Sequence, residues 1–216
     1  ERGIEDHYVR IAGQTRTGIK ITDPVRNETT DINFPGFMPT PADMALLRAA
    51  LDKLDATWFT AGGSLPPGIE PTIYRDLIRA LKARGGKVLL DSSGEAFRYG
   101  IEAAPDIIKP NINELEELTG SSLPTDDAVV EAARKLVARG IGLVVISMGA
   151  KGACFVSKGE VVIQRAPKIE VKSTVGAGDA MAAGTIASLL RGLPLAESAR
   201  VATERSLARL KRNAAL

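Results

Sequence analysis

Apolar and polar positions follow two different periods along this chain. Over the first 36 residues they alternate within short stretches bounded by Gly, Pro and Asp, which predicts three strands at HYVRIAG, GIKITDP and TTDINFPG. From Thr40 the period becomes helical, and Thr40 followed by Pro41 is typical of a helix start. We therefore predict a small β segment over residues 1–36, in the role of a lid, and a separate body over 37–216.

The body alternates between strand and helix patterns. Apolar runs predict strands at TWFTAG, KVLLDSS, DIIKP and GLVVIS, and GACFVSKGEVVIQRAP predicts a hairpin that turns at Lys158-Gly159. Helical patterns lie between these strands, and two more close the chain at about 179–191 and 195–211. This alternation predicts an α/β fold with a mostly parallel central sheet flanked by helices. Ligands of such sheets bind at the carboxyl ends of the strands.

The stretch VGAGDAMAAG combines bare backbone with one acid, Asp179, at the start of an apolar helix. Glycines at Gly176 and Gly178 allow positive φ and let a ligand approach the backbone around Ala177. The first N–H groups of a helix lack partners within it, so this loop is suited to bind an anion such as phosphate. The alternative is a tight turn with a favourable first-turn acid, followed by small residues that allow close helix packing.

Asn111 and Glu114 follow a proline with the spacing of a capping box. The same amide and carboxylate could instead hold a magnesium ion through water, and both interpretations can hold together. Lys109, at the end of the preceding strand, could reach a phosphate or be an ordinary surface lysine. Ser147 is followed by Gly149 and Gly152. Alone, these glycines are weak evidence for a binding site, because a tight strand-turn-strand connection commonly requires glycines anyway.

Composition narrows the functional class. The chain has 216 residues with 28 basic and 26 acidic side chains, so nucleic-acid binding has little support. One cysteine, Cys154, excludes an internal disulfide, and one histidine, His7, argues against a histidine-rich metal site. No apolar stretch is long enough for a transmembrane helix, and the first residues do not resemble a signal peptide. We expect a cytoplasmic protein with no membrane partner.

Five motifs in order carry a resemblance to a known family: GGSLPPG, DSSGEA, KPNINELEEL, SMGAKGA and VKSTVGAGDAMAAG. Together they resemble the ribokinase-like (PfkB) carbohydrate kinases, from about Tyr8 to about Thr203. IAGQTR, TDINFPG and TPAD are similar to the bacterial 1-phosphofructokinase branch of that family.

The resemblance implies a ribokinase-like fold and Mg²⁺- and ATP-dependent phosphorylation of fructose 1-phosphate to fructose 1,6-bisphosphate. Asp179 matches the catalytic base, and residues 176–178 match the anion hole. Asn111 and Glu114 match the pair that organises magnesium through water. The resemblance places a further set of residues at the nucleotide: Lys109, Asn111, Ser147, Gly149, Gly152 and Thr174. It places Arg16 and Ser64 near the phosphate that the sugar already carries, although an isolated arginine such as Arg16 is more often simply solvated.

The resemblance also leaves alternatives open. Tagatose-6-phosphate kinase and 6-phosphofructokinase of the same family share these motifs, and a non-catalytic derivative that binds nucleotide or sugar phosphate is a third possibility. A dinucleotide-binding Rossmann protein is disfavoured, because no strand is followed by G-x-G-x-x-G. A homodimer through the β segment is expected by family analogy.

Three features depart from the family pattern. An earlier segment with a sugar-binding Asp and a Gly-Gly-Asn stretch is not found, which indicates that part of the family fold is missing from this sequence. Thr17 and Gly18 stand where the pattern TRxN would supply an amide. After Thr203, the charged stretch ERSLARLKRNAAL replaces a helix rich in Ala and Gly, so we expect a truncated product or a shifted reading frame.

Overall fold

The computed structural model describes residues 3–23, 28–169 and 174–214, so positions 171–173, the first three of the last motif, lie outside the described part. The chain divides into two compact units. The first comprises the described residues up to Ala56 together with Leu65–Pro71, and the second comprises Thr57–Ser64 and the described residues from Thr72 onward.

The first unit contains one antiparallel pair of strands and one helix. Strands β1 (Gly18–Asp23) and β2 (Glu28–Asn33) pair with Gly18 opposite Asn33 and Ile19 opposite Ile32. Helix α1 (Pro41–Asp52) begins after Thr40, whose hydroxyl accepts from the Asp43 N–H while Asp43 accepts from the Thr40 N–H. This reciprocal capping box explains the abrupt change of period at Thr40.

The strand predicted at HYVRIAG is wrong, because the described residues before Gly18 form no strand. Tyr8 is 82% exposed and Ile4, just before the stretch, is 84% exposed. Alternation leads to a strand only where a partner strand pairs with it and one face is buried. The described residues offer no partner strand here, and the alternating residues Val9 and Ile11 are only half-buried.

The second unit is built on a six-stranded sheet in the order β3-β4-β5-β6-β7-β8. Its first four strands are parallel, and β7 and β8 continue from β6 as an antiparallel hairpin. The strands are β3 (Trp58–Gly62), β4 (Lys87–Asp91), β5 (Ile107–Ile108), β6 (Leu143–Ser147), β7 (Ala153–Ser157) and β8 (Val161–Gln164). The α/β architecture with a largely parallel sheet is confirmed.

The described residues of this unit also form six α-helices. They are α2 (Ile73–Ala83), α3 (Gly94–Ile101), α4 (Ile112–Thr119), α5 (Asp126–Ala138), α6 (Ala177–Leu190) and α7 (Leu195–Ala214). None of the helices in the described part of the chain is both long enough and apolar enough to cross a bilayer.

Helices α6 and α7 cover one face of the sheet. Met181 and Ala182 of α6 join Ala199 and Ala202 of α7 in a buried cluster with alternate strand residues such as Phe155. A Cβ on Gly184 would lie 2.8 Å from the Ala202 Cα, so the two helices approach too closely for any side chain there. The small residues after Asp179 therefore do serve helix packing, as the alternative interpretation of that stretch held.

Candidate active site

The first turn of α6 offers free hydrogen-bond donors. Gly176 is the N-cap and adopts φ of 74°, a left-handed conformation that favours glycine, and no side chain caps the helix. The Ala177 N–H donates to the Thr174 carbonyl, but the N–H groups of Gly178 and Asp179 have no acceptor among the described residues. Because the helix dipole also makes this end positive, the turn can bind an anion.

Two cavities of the second unit lie on either side of this turn. The larger has a volume of about 830 Å³, and Ala177 and Gly178 are part of its wall. The smaller has a volume of about 420 Å³, and Asp179 is part of its wall, with its carboxylate-bearing side chain exposed. Adjacent residues of one helical turn thus face two separate spaces.

The larger cavity gathers most of the residues that the sequence assigned to a nucleotide. Its lining includes Asn111, Ser147, Gly149, Gly152, Thr174, Ala177 and Gly178. Helix α7 contributes Ser206, Leu207 and Leu210 to the wall. The lining thus combines polar groups at the strand ends with two leucines of α7, as a pocket for a molecule with a planar apolar part and a charged part requires.

Lys109 is not a surface lysine. It is 6% exposed, and its Nζ lies 3.0 Å from the Asp91 carboxylate. The same Nζ lies 3.1 Å from the point where a Cβ on Gly178 would stand. The ammonium is therefore held directly beside the α6 turn, and Gly178 provides the space for it.

Asp91 is a site residue to which the sequence argument assigned no role. The parallel ladder pairs Leu90 with Ile108, so the next residues along each strand, Asp91 and Lys109, come side by side. Asp91 also lines the smaller cavity together with Asp179. The sequence contained one indication of this pair, because Asp91 follows the apolar run KVLL and Lys109 follows the next one, DII.

Asn111 and Glu114 form the capping box of α4. The Asn111 side chain accepts from the Glu114 N–H at 2.9 Å, and the Glu114 carboxylate accepts from the Asn111 N–H at 2.8 Å. Burial raises the pKa of the Glu114 carboxyl, and nearby Asp91 and Glu117 add to that effect. The Asn111 N–H and the Lys109 ammonium act in the opposite direction and lower this pKa.

The turn after β6 brings bare backbone to the larger cavity. Ser147 ends β6 and bridges to Asn111, and its N–H donates to the Pro110 carbonyl at 3.1 Å. Gly149 and Gly152 have φ of 58° and 98°, and a Cβ on Gly152 would lie 2.0 Å from the Gln164 carbonyl oxygen. The fold itself therefore requires glycine at both positions, whether or not they also contact a ligand.

A tyrosine supports the floor of the smaller cavity. The Tyr74 hydroxyl lies 2.7 Å from the Gly62 carbonyl oxygen and 2.9 Å from that of Gly63. The Gly63 N–H donates to the Asp91 carbonyl at 3.1 Å, and a Cβ on Gly62 would lie 2.6 Å from that oxygen. The glycine pair after β3 is thereby fixed to the end of β4.

Neither of the two residues assigned to the sugar's own phosphate is part of the wall of these two cavities. Ser64 follows Gly63 directly and is exposed, but it is not part of the wall of either cavity. Arg16 belongs to the first unit, where it lines a cavity of about 600 Å³ with Phe34 and Phe37. A Cβ on Gly36, whose φ is 73°, would lie 3.0 Å from the Arg16 Cβ.

Known proteins similar to this chain include several bacterial enzymes. The 1-phosphofructokinase of Rhodobacter capsulatus is 46% identical over 211 residues, which cover 96% of this chain and 67% of that protein. The 1-phosphofructokinase of Escherichia coli K12 is 40% identical over 209 residues, which cover 94% of this chain and 65% of the relative. The chain thus spans about two thirds of the length of these relatives.

Solved structures similar to this chain include other phosphofructokinases. Phosphofructokinase-2 from Escherichia coli, in complex with substrates and products, superposes with a TM-score of 0.84 at 29% identity, over 94% of this chain and 67% of that one. A possible 1-phosphofructokinase from Thermotoga maritima gives 0.81 at 29% identity, over 95% and 66%. The profile of the pfkB family carbohydrate kinases matches residues 1–214, which confirms the resemblance carried by the five motifs. With this match across nearly its whole length, the chain belongs to the pfkB family of carbohydrate kinases.

Proposed function

We propose that this chain transfers the terminal phosphoryl group of ATP to the free primary hydroxyl of fructose 1-phosphate, giving ADP and fructose 1,6-bisphosphate. Membership of the carbohydrate kinases supports ATP as the donor. The names of the two relatives described above, 1-phosphofructokinases at 46% and 40% identity, support this acceptor.

The position of the α6 turn between two cavities is the observation that carries the proposal. Ala177 and Gly178 line the larger cavity, which is large enough for a nucleotide, and Asp179 lines the smaller one. A phosphoryl group bound to the free N–H groups of this turn would lie between a donor on one side and an acceptor on the other. In-line transfer needs that arrangement.

The chemistry requires one proton acceptor and several positive groups. The acceptor hydroxyl oxygen forms a bond to the terminal phosphorus, the bond from that phosphorus to the ADP oxygen breaks, and the hydroxyl proton passes to the Asp179 carboxylate. The N–H groups of Gly178 and Asp179 and the Lys109 ammonium stabilise the charge on the phosphoryl oxygens. The residues around the turn thus position the reacting groups and neutralise the charge of the phosphoryl oxygens. They form no covalent intermediate with the phosphoryl group.

Magnesium fits the acidic and amide oxygens at the start of α4. Among the described residues no group of three or more His, Cys, Asp or Glu side chains is placed to hold a metal ion. Mg²⁺ commonly keeps several waters and binds through one or two carboxylates together with substrate phosphates. Asn111 and Glu114 would hold the ion through water, and the ion would neutralise phosphate charge.

Arg16 and Ser64 are proposed to bind the phosphate that the sugar already carries. A guanidinium and a hydroxyl are suitable ligands for that group. Replacing Arg16 by Ala is expected to raise the KM for the sugar phosphate while leaving the KM for ATP unchanged.

A second copy of the chain is the proposed partner of the β1-β2 sheet. Ile19 and Ile21 on β1 and Ile32 on β2 are 45%, 53% and 42% exposed, and the register places all three on one face. Such a contiguous apolar face is typical of an interaction surface. Replacing Ile21 by Lys should lower the mass measured by light scattering from that of a dimer to that of a monomer, and an unchanged mass would contradict this interface.

The substrate assignment is tested by measuring ADP release with Mg²⁺-ATP and three sugars. Turnover with fructose 1-phosphate, and at least tenfold lower kcat/KM with fructose 6-phosphate and tagatose 6-phosphate, is expected. Preference for either of the other two sugars would contradict the acceptor. A titration calorimetry experiment with ATP alone tests the nucleotide site separately from turnover, and absence of binding would contradict the kinase assignment.

A further inference from the structure

Arg209 on α7 reaches across to the loop that starts α6. Its Nε donates to the Val175 carbonyl at 3.3 Å. Its Nε and Nη2 also lie 3.0 Å and 3.6 Å from the point where a Cβ on Gly176 would stand. The guanidinium therefore packs on the N-cap of α6, and the left-handed glycine there leaves it room.

This is an unusual place for a cation. Positive side chains are destabilising at a helix N-terminus, because the helix dipole is positive there. A second cation, Lys109, already stands beside Gly178 on the same turn. Lys109 is compensated by Asp91, whereas Arg209 forms no ion pair with a carboxylate in the part of the chain that the structure describes. The acid of this turn, Asp179, lines the smaller cavity and forms no ion pair with Arg209 among the described residues, so an anion bound at the turn would give the guanidinium a partner of opposite charge.

Arg209 also keeps its best donors available. Among the described residues only Nε forms a hydrogen bond, to Val175, so the two terminal nitrogens of the guanidinium have no acceptor in that part of the chain. A planar guanidinium binds two phosphate oxygens at once. Arg209 itself is not part of the wall of the larger cavity, but its neighbours on α7, Ser206, Leu207 and Leu210, are, and this cavity is the one proposed for the nucleotide.

We propose that Arg209, beside Gly176, binds the terminal phosphate of the nucleotide at the α6 turn, where Lys109 stands beside Gly178. This inference rests on the proposed kinase function and adds a residue to it. Arg209 lies beyond Thr203, where the resemblance to the family pattern ends. The charged stretch at the end of α7 thereby supplies a phosphate ligand that none of the five motifs contains.

The test compares the affinities for ATP and AMP, measured by titration calorimetry at fixed Mg²⁺. Arg209→Gln should weaken ATP binding by about tenfold or more, as loss of a hydrogen bond to a charged group does, while AMP binding changes by less than about twofold. Lys211→Gln is the matched control, because Lys211 is an exposed cation on the same helix. It should change neither affinity by more than about twofold.

A conservative variant separates charge from support of the loop. Arg209→Lys keeps the charge but loses the Nε bond to Val175, so it should recover part of the preference for ATP over AMP. Equal weakening of ATP and AMP in Arg209→Gln, or no recovery in Arg209→Lys, would overturn the role on the phosphate. If the unaltered chain bound neither nucleotide, the kinase assignment itself would fail, and this inference with it. Normal ATP binding with an unchanged ratio in Arg209→Gln would overturn the inference alone.

Discussion

The Lys109 ammonium lies 3.0 Å from the Asp91 carboxylate, at the carboxyl ends of two adjacent parallel strands. The Lys109 side chain is 7% exposed and that of Asp91 is 24% exposed, so the pair is largely removed from water. Asp91 is part of the wall of the smaller cavity, and Lys109 lies beside Gly178 of the α6 turn. Fold stability and the charge of the site therefore depend on the same two residues.

Replacing Asp91 by Asn should destabilise the protein by about 3 kcal/mol, because it leaves a buried ammonium without a counter-charge. The measurement is the free energy of unfolding in urea. Glu131→Gln, which removes an exposed carboxylate from α5, is the control and should change that free energy by less than about 0.5 kcal/mol.

The double variant Asp91→Asn with Lys109→Met should recover much of the loss, since no buried charge remains. If Asp91→Asn lowered the free energy of unfolding no more than Glu131→Gln does, the Asp91 carboxylate would not be needed to compensate the buried Lys109 ammonium.

Replacing Gly178 by Ala should impair nucleotide binding without unfolding the protein. The new Cβ would stand 3.1 Å from the Lys109 Nζ, and the bond to Asp91 restricts how far that ammonium can withdraw. Alanine is a better helix former than glycine by about 1 kcal/mol, which offsets the crowding in the folding free energy. We expect affinity for ATP to fall by about tenfold, as small misplacements at a binding site do.

Gly159→Ala is the matched control for this variant. Gly159 lies in the turn between β7 and β8, and a Cβ there would meet no atom within 4 Å. It should leave ATP affinity unchanged. If Gly178→Ala bound ATP as tightly as Gly159→Ala does, the close approach of Lys109 to the turn would be irrelevant to binding.

The raised pKa of the Glu114 carboxyl, caused mainly by burial, gives stability a definite pH dependence. The folded state holds this proton more tightly than the unfolded state, whose pKa is near the ordinary value of 4.5. The stability contribution of Glu114 is therefore largest below that value and declines as pH rises through the higher folded pKa. Unfolding free energies measured in steps from pH 4.5 upward should show this decline.

Glu114→Gln should remove the part of the decline that Glu114 causes, because its amide oxygen can still accept from the Asn111 N–H while no charge is buried. Glu131→Gln should keep the whole decline. Identical pH profiles for these two variants would mean that the Glu114 carboxylate titrates alike in the folded and unfolded states.

Local pattern was sufficient to predict most of the fold and part of the site. The strands of the body and the capping box of Asn111 and Glu114 depend on neighbours within a few residues, and the structure contains both. The alignment of the strand ends at one edge follows from their parallel direction. The roles assigned to the site residues remain predictions.

The interactions that the sequence could not reveal depend on strand register and helix packing. The pairing of Asp91 with Lys109 depends on how β4 aligns with β5, which no single-strand pattern contains. Arg209 reaches Val175 only because α7 packs closely on α6 at Gly184. The predicted first strand failed for a related reason, because alternation near Tyr8 does not report whether a partner strand exists.

The most direct test of the account is the rate of phosphoryl transfer from Mg²⁺-ATP to fructose 1-phosphate in Asp179→Asn. Asparagine keeps the shape of the side chain but cannot take the hydroxyl proton, so kcat should fall by roughly 10²–10⁴-fold with little change in either KM. A kcat within about twofold of the unaltered chain would contradict both the role of Asp179 as base and the placement of the reaction at the α6 turn.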